Sequence, residues 1–102
     1  MRRVMHGDVV TAALVLLGVP DETRQSLCRR MIVEAHAAHR YFRRFGRSHA
    51  LWGDGSLMSC ALKRTVPPEP GFSDSQYCGC MEMVLHELST WRTARQVTHG
   101  RS

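Results

Sequence analysis

Lysine is almost missing from this chain: thirteen of its fourteen basic residues are arginine, and Lys63 is the exception. No segment alternates apolar and polar residues with period two, and no internal repeat or low-complexity tract occurs. The four cysteines (Cys28, Cys60, Cys78, Cys80) are not spaced as two C-x-x-C pairs. These absences exclude a half-buried sheet and a zinc ribbon, and they leave reduced, free thiols as the expectation. No apolar run is long either. Val9 to Val19, preceded by Arg2 and Arg3, superficially resembles a signal peptide, but Asp8 interrupts its boundary and Pro20-Asp21-Glu22 follows with no A-x-A-like cleavage site. At about eleven residues it is too short to span a bilayer. A cytoplasmic protein with no membrane association is expected.

At 102 residues the chain has room for one domain, spanning 1–102, and none for separate cofactor and substrate domains. Apolar residues at 43% and charged residues at 23% are close to globular averages, so a packed core is expected rather than disorder.

Helical spacing organises the whole chain. Gly7-Asp8 caps a first helix from about Val9 to Leu17, carried by Val10, Ala13, Leu14 and Leu17 and stopped by Gly18 and Pro20. Pro20, Asp21 and Glu22 open a second helix that meets no breaker before Gly46. Its Cys28, Met31, Ala35, Ala38, Phe42 and Phe45 step by three and four residues and predict one buried seam. Residues 46–56 read as a loop, with Asp54 or Ser56 capping a short helix from about Leu57 to Arg64. Val66 to Gly71, with three prolines, predicts an extended surface segment. Ser73-Asp74-Ser75-Gln76 fits a capping box, and Tyr77, Met81, Val84, Leu88 and Trp91 mark a fourth helix to about Arg95, followed by a frayed polar tail, 96–102. The predicted fold is all-α, a small antiparallel bundle of four helices, two longer and two shorter. Met31, Ala35, Ala38, Phe42, Val84, Leu88 and Trp91 are its expected core.

The net charge of +5 is localised. Between Arg24 and Arg47 stand seven arginines and one acid, Glu34, giving +6, while the rest of the chain carries −1. At about 100° per residue, Arg29, His36, Arg40, Arg43 and Arg47 fall in one stripe about 27 Å long, opposite the seam and flanked by Ile32 and Val33, which are expected to be exposed. Arginine's planar fork binds carboxylate and phosphate bidentately, so the stripe is a usable anion surface. The plain alternative is that a helix must show water a charged face, and a GC-rich genome writes that face in arginine.

The other constellations weigh less. Cys78-Gly79-Cys80 places two thiols about 200° apart on a helix, which suits a core position better than a shared ion. His36, His39 and His49 are a conceivable metal set, but no carboxylate completes a metalloprotease-like pattern, so no metal or cofactor is expected. Trp52-Gly53-Asp54-Gly55-Ser56 has the glycines of a ligand loop but lacks the lysine of a P-loop, and Asp54 opposes a phosphate there. It reads as a helix-capping turn with Trp52 wedged between helices, or else as a partner surface. No Ser/His/Asp or Cys/His set has supporting context, so no enzyme activity is expected.

His6-Gly7-Asp8-Val9-Val10, Gly46-Arg47-Ser48-His49, Trp52-Gly53-Asp54-Gly55-Ser56-Leu57-Met58, Pro68-Glu69-Pro70 and Asp74 to Cys78 together resemble a small family of uncharacterised alphaproteobacterial proteins of about the same length. The resemblance covers nearly the whole chain, and the Trp-Gly-Asp-Gly-Ser-Leu-Met block is its most specific part. It implies a bacterial, cytoplasmic origin and supplies no activity, ligand or catalytic residue.

The function expected is that of a helical interaction or accessory module. It presents Arg29, His36, Arg40, Arg43 and Arg47, with Trp52 and Asp54 of the loop, to an acidic protein partner. Nucleic-acid binding through the same arginines is the alternative, and a homodimer is left open.

Overall fold

The computed structural model describes the backbone of residues 1–100 and the side chains of residues 1–95. It contains four helices: α1 (His6–Leu17), α2 (Asp21–Phe45), α3 (Leu57–Ala61) and α4 (Ser75–Gly100). The described residues form no strand, and a single isolated bridge pairs His49 with Gly53. The small all-α bundle with two longer and two shorter helices is therefore what the chain adopts. The fourth helix continues through 96–100, past the end expected at about Arg95, whereas the side chains of 96–100 and residues 101–102, also part of the expected tail, lie outside the described residues.

The apolar run of α1 is the centre of the core. Ala12, Ala13, Leu14, Val15 and Leu16 are consecutive and all buried, and α1 touches each of the other three helices. A helix apolar around its circumference has to be covered on every side. It begins three residues earlier than expected. Asp8 is not its cap but its third residue, nearly fully buried, and one carboxylate oxygen accepts the Met5 N–H at 2.7 Å while the other accepts the Met58 N–H at 2.8 Å. One side chain thus satisfies orphan amides at the starts of both α1 and α3.

Arg24 does the corresponding work at the other end of α1. It is buried, and its guanidinium donates to the carbonyls of Leu16 (2.8 Å), Leu17 (3.3 Å) and Val19 (3.2 Å) and to Gln76 Oε1 of α4 (3.2 Å). The last carbonyls of α1, which have no partner within the helix, are closed by this one fork.

The long helices are tied at three levels: Arg24 to Gln76, Arg29 to Glu87 and His36 to Arg95. Both sequences ascend together, so α2 and α4 run in the same direction, and the antiparallel packing is that of α1 against the two of them. Residues 46–74 make the return crossing. The crossing is pinned by Arg64 of the α3 exit to Glu34 of α2 (2.8 Å) and by Tyr77 of α4, whose hydroxyl donates to Glu69 at 3.2 Å.

Three sequence expectations need correction. Ile32 is buried at 2% exposure rather than exposed, because α2 is covered by α1 and α3 and also by α4, which widens its buried face beyond one seam. Phe45, expected at the end of the seam, is 54% exposed, and Phe42 and Trp91 are only half-buried, because the last turns of α2 and α4 outrun α1. The third helix stops at Ala61, three residues short of Arg64.

Candidate partner-binding surface

The last three turns of α2 end at Gly46, which takes the left-handed conformation (φ 70°) that glycine adopts without strain, and whose N–H closes onto Phe42 O at 2.7 Å. Arg40, Arg43, Arg44 and Arg47 are exposed there. None of the four has a carboxylate partner among the described residues, and Arg44 lies over the Phe45 ring at 5.6 Å. The bases near the helix C-terminus suit its negative pole, which explains their tolerance but leaves their hydrogen-bonding forks unused.

The loop that follows folds back onto this end. His49 and Gly53 exchange both backbone hydrogen bonds (2.8 and 3.0 Å), and His49 Nδ1 accepts the N–H groups of Leu51 and Trp52. The imidazole stacks on Trp52 (4.7 Å, 12°) and meets Tyr41 edge-on (5.0 Å), which in turn packs on Phe45 at 4.6 Å. A row of rings, Phe45, Tyr41, His49 and Trp52, therefore lies beside the arginines. Leu51 stands out at the tip with 67% exposure.

Two glycines fix this loop against its support. Gly55 has φ +98°, and a Cβ there would lie 2.5 Å from His39 Cα of α2; Gly53 (φ +83°) abuts the Ser59 side chain. Asp54 is committed inside the turn: Oδ1 accepts Ser56 N–H (3.0 Å) and Ser59 O–H (2.8 Å), and Oδ2 lies 3.8 Å from Arg2. The hydrogen bond from the Ser56 amide, reinforced by the two serine hydroxyls and Arg2, outweighs burial and holds the Asp54 carboxyl below its usual value. Ser56 caps α3 by accepting Ser59 N–H at 3.1 Å.

The expected stripe is divided by the structure. Arg29 is tied to the buried Glu87 at 2.9 Å, although most of its side chain remains exposed. His36 sits between the Met1 amino group (2.6 Å) and Arg95 (3.1 Å), edge-on to Trp91 at 5.2 Å. Burial, followed by the surrounding cations Met1, Arg95, Arg40 and His39, pushes its imidazole down to about 4, so it is neutral at pH 7. Burial and then the Met1 amine, Arg43 and Arg2 lower His39 as well. Burial is the larger cause at both histidines, and the neighbouring positive charges add to it. Arg40, Arg43 and Arg47 form the open part of the stripe, joined by Arg44, by Tyr41 and by Phe45, which the spacing alone places in the core seam. A helix that outruns its bundle was the missing information.

The thiols offer no alternative site. Cys28, Cys60 and Cys80 are buried, Cys78 donates to Phe72 O at 3.1 Å, and all four are free. Among the described residues no cluster of three or more His, Cys, Asp or Glu is placed to hold a metal ion, and no helix is long and apolar enough to cross a membrane.

A family model described as a domain of unknown function (DUF7742) matches residues 2–88, which include the whole of the basic end and its loop. No curated protein and no solved structure gives a significant match.

Proposed function

We propose, for a chain that belongs to the DUF7742 family of domains of unknown function, that it is a non-catalytic interaction module whose working surface is the basic end of α2 with the ring-bearing loop packed on it. Its partner is an acidic protein segment that also carries apolar residues, and the bacterial, cytoplasmic setting implied by the sequence resemblance belongs to the same proposal. The observation that carries it is the conjunction of Arg40, Arg43, Arg44 and Arg47, all without carboxylate partners among the described residues, with exposed Phe45 and Leu51. Arginine beside aromatic residues is the composition of interface hot spots.

The nucleic-acid reading uses the same arginines but needs free ring faces for bases or a track for phosphates. Here His49 and Trp52 each give one ring face to the other, and the exposed Leu51 at the tip offers nothing to a base. That arrangement favours the protein partner.

Fluorescence anisotropy distinguishes them. A labelled peptide alternating Asp/Glu with Leu and Phe should bind the wild-type protein at physiological salt and lose binding in the Arg40→Glu/Arg43→Glu variant, with helical content unchanged. Random-sequence DNA should not bind under those conditions. Micromolar DNA binding with a log-log salt slope of about −0.9 per contacted phosphate would replace this reading with the nucleic-acid one.

A further inference from the structure

We infer a second docking site, in the groove between the start of α1 and the middle of α4, for an amphipathic partner helix whose apolar face is flanked by acidic residues. The groove has a volume of about 570 Å³ and takes no lining residue from α2 or from the loop. Its floor is Val9 and Leu88, both buried, and its walls are Met5 and Leu85, which are 57% and 54% exposed. Two large apolar side chains half in water on facing walls are an unfinished packing contact rather than scattered surface.

The spacing of the α4 wall selects a helix as the guest. Met81, Leu85, Leu88 and Arg92 recur at four, three and four residues, so they form one stripe along α4, about 16 Å long at 1.5 Å per residue. Such a stripe beside a groove accepts the ridge of another helix, and about three turns of it would fill this length. The methionine wall adapts to different side chains, as unbranched thioethers do.

Charge then selects the flank of the guest. Arg92 stands on the rim and pairs with no carboxylate among the described residues, and no Asp or Glu lines the groove. A guest with Glu or Asp beside its apolar stripe completes the rim, and one with Lys there is repelled.

The test uses the full chain and two synthetic helical peptides with Leu at i, i+3, i+4 and i+7, one flanked by Glu and one by Lys, read by anisotropy. The Glu peptide should bind about tenfold more tightly than the Lys peptide, and Leu85→Asp or Arg92→Glu should each weaken it by about tenfold. Arg92 is exposed and Leu85 half-exposed, so circular dichroism should keep its helical signature and Tm should fall by only a few degrees at most. Arg40→Glu/Arg43→Glu should leave its affinity within about twofold, which separates this site from the basic end of α2. Four results would overturn the inference: no binding of the Glu peptide, equal binding of both peptides, unchanged binding by Leu85→Asp, or a dimer in sedimentation that Leu85→Asp dissociates, the last placing a second copy in the groove.

Discussion

Glu87 accepts the Nε–H of Arg29 at 2.9 Å from inside the bundle: the carboxylate is 3% exposed, whereas the arginine side chain is 61% exposed. Its other oxygen accepts Gln25 Nε2 at 3.2 Å. The asymmetry sets the mutational outcome. Arg29→Ala strands a buried charge with one amide donor and should cost about 2 kcal/mol, since losing one partner of a buried pair is worse than losing both. The Arg29→Ala/Glu87→Gln double variant should recover about half of that. Urea unfolding of the three proteins measures it.

Acid should weaken the fold in two steps. His36 has its pKa lowered from 6.5 to about 4, so the unfolded chain binds a proton there that the folded one refuses. Its contribution is complete above pH 6.5 and lost as pH falls toward 4. At Glu87, burial raises the pKa but the hydrogen bonds from Arg29 and Gln25 outweigh it, and the net depression means that stability is lost below 4.5 as the folded carboxylate protonates. Tm should decline between pH 7 and 5, and His36→Gln should flatten that part of the profile. An unchanged slope in the variant would refute the assignment.

Glycines 55 and 46 should respond very differently to alanine. At Gly55 the added methyl group meets the α2 backbone at His39 as well as a positive φ, so Gly55→Ala should cost about 2–4 kcal/mol and dislodge the loop from α2. At Gly46 only the φ of +70° opposes the change, with nothing within 4 Å, and about 1 kcal/mol is expected. Thermal melts rank the two, and Trp52 fluorescence reports the displaced loop.

Thiol chemistry should distinguish one cysteine from three. Burial, followed by Glu87, raises Cys28 to about 12, and burial together with the Glu34 hydrogen bond raises Cys60 to about 11; burial also raises Cys80. Cys78 is the one with solvent access. A chromogenic disulfide reagent should modify one thiol rapidly in the folded protein and four after unfolding, with Cys78→Ser abolishing the fast phase.

Much of this architecture was legible from local chemistry. Pro20 with Asp21 and Glu22 begins α2, Gly46 ends it, Ser56 caps α3, and Asp74 accepts the Tyr77 N–H at the start of α4, all within a few residues of sequence. What could not be read locally depends on which helices meet. Ile32 looks like an exposed neighbour of the stripe until α4 is placed beside it. Arg24 looks like one more surface arginine until the end of α1 arrives above it, and Arg29 like a free one until Glu87, far along the chain, turns inward. At the candidate site Arg40, Arg43 and Arg47 were legible as a charged face, but the row from Phe45 to Trp52 was not, because it needs the loop folded back on the helix.

The shared direction of α2 and α4 also orders events during synthesis. A hairpin partner would reach α2 soon after it leaves the ribosome, but a partner running the same way must wait for the whole crossing, residues 46–74, and then for α4 itself. Until then Cys28, Ile32 and Ala35 have only α1, and after it the short α3, to shelter them, and the nascent chain carries an apolar face that α4 has yet to cover. The dense arginines on the other side of α2, whatever they bind in the finished protein, keep that half-built helix charged and apart from its neighbours on the same message.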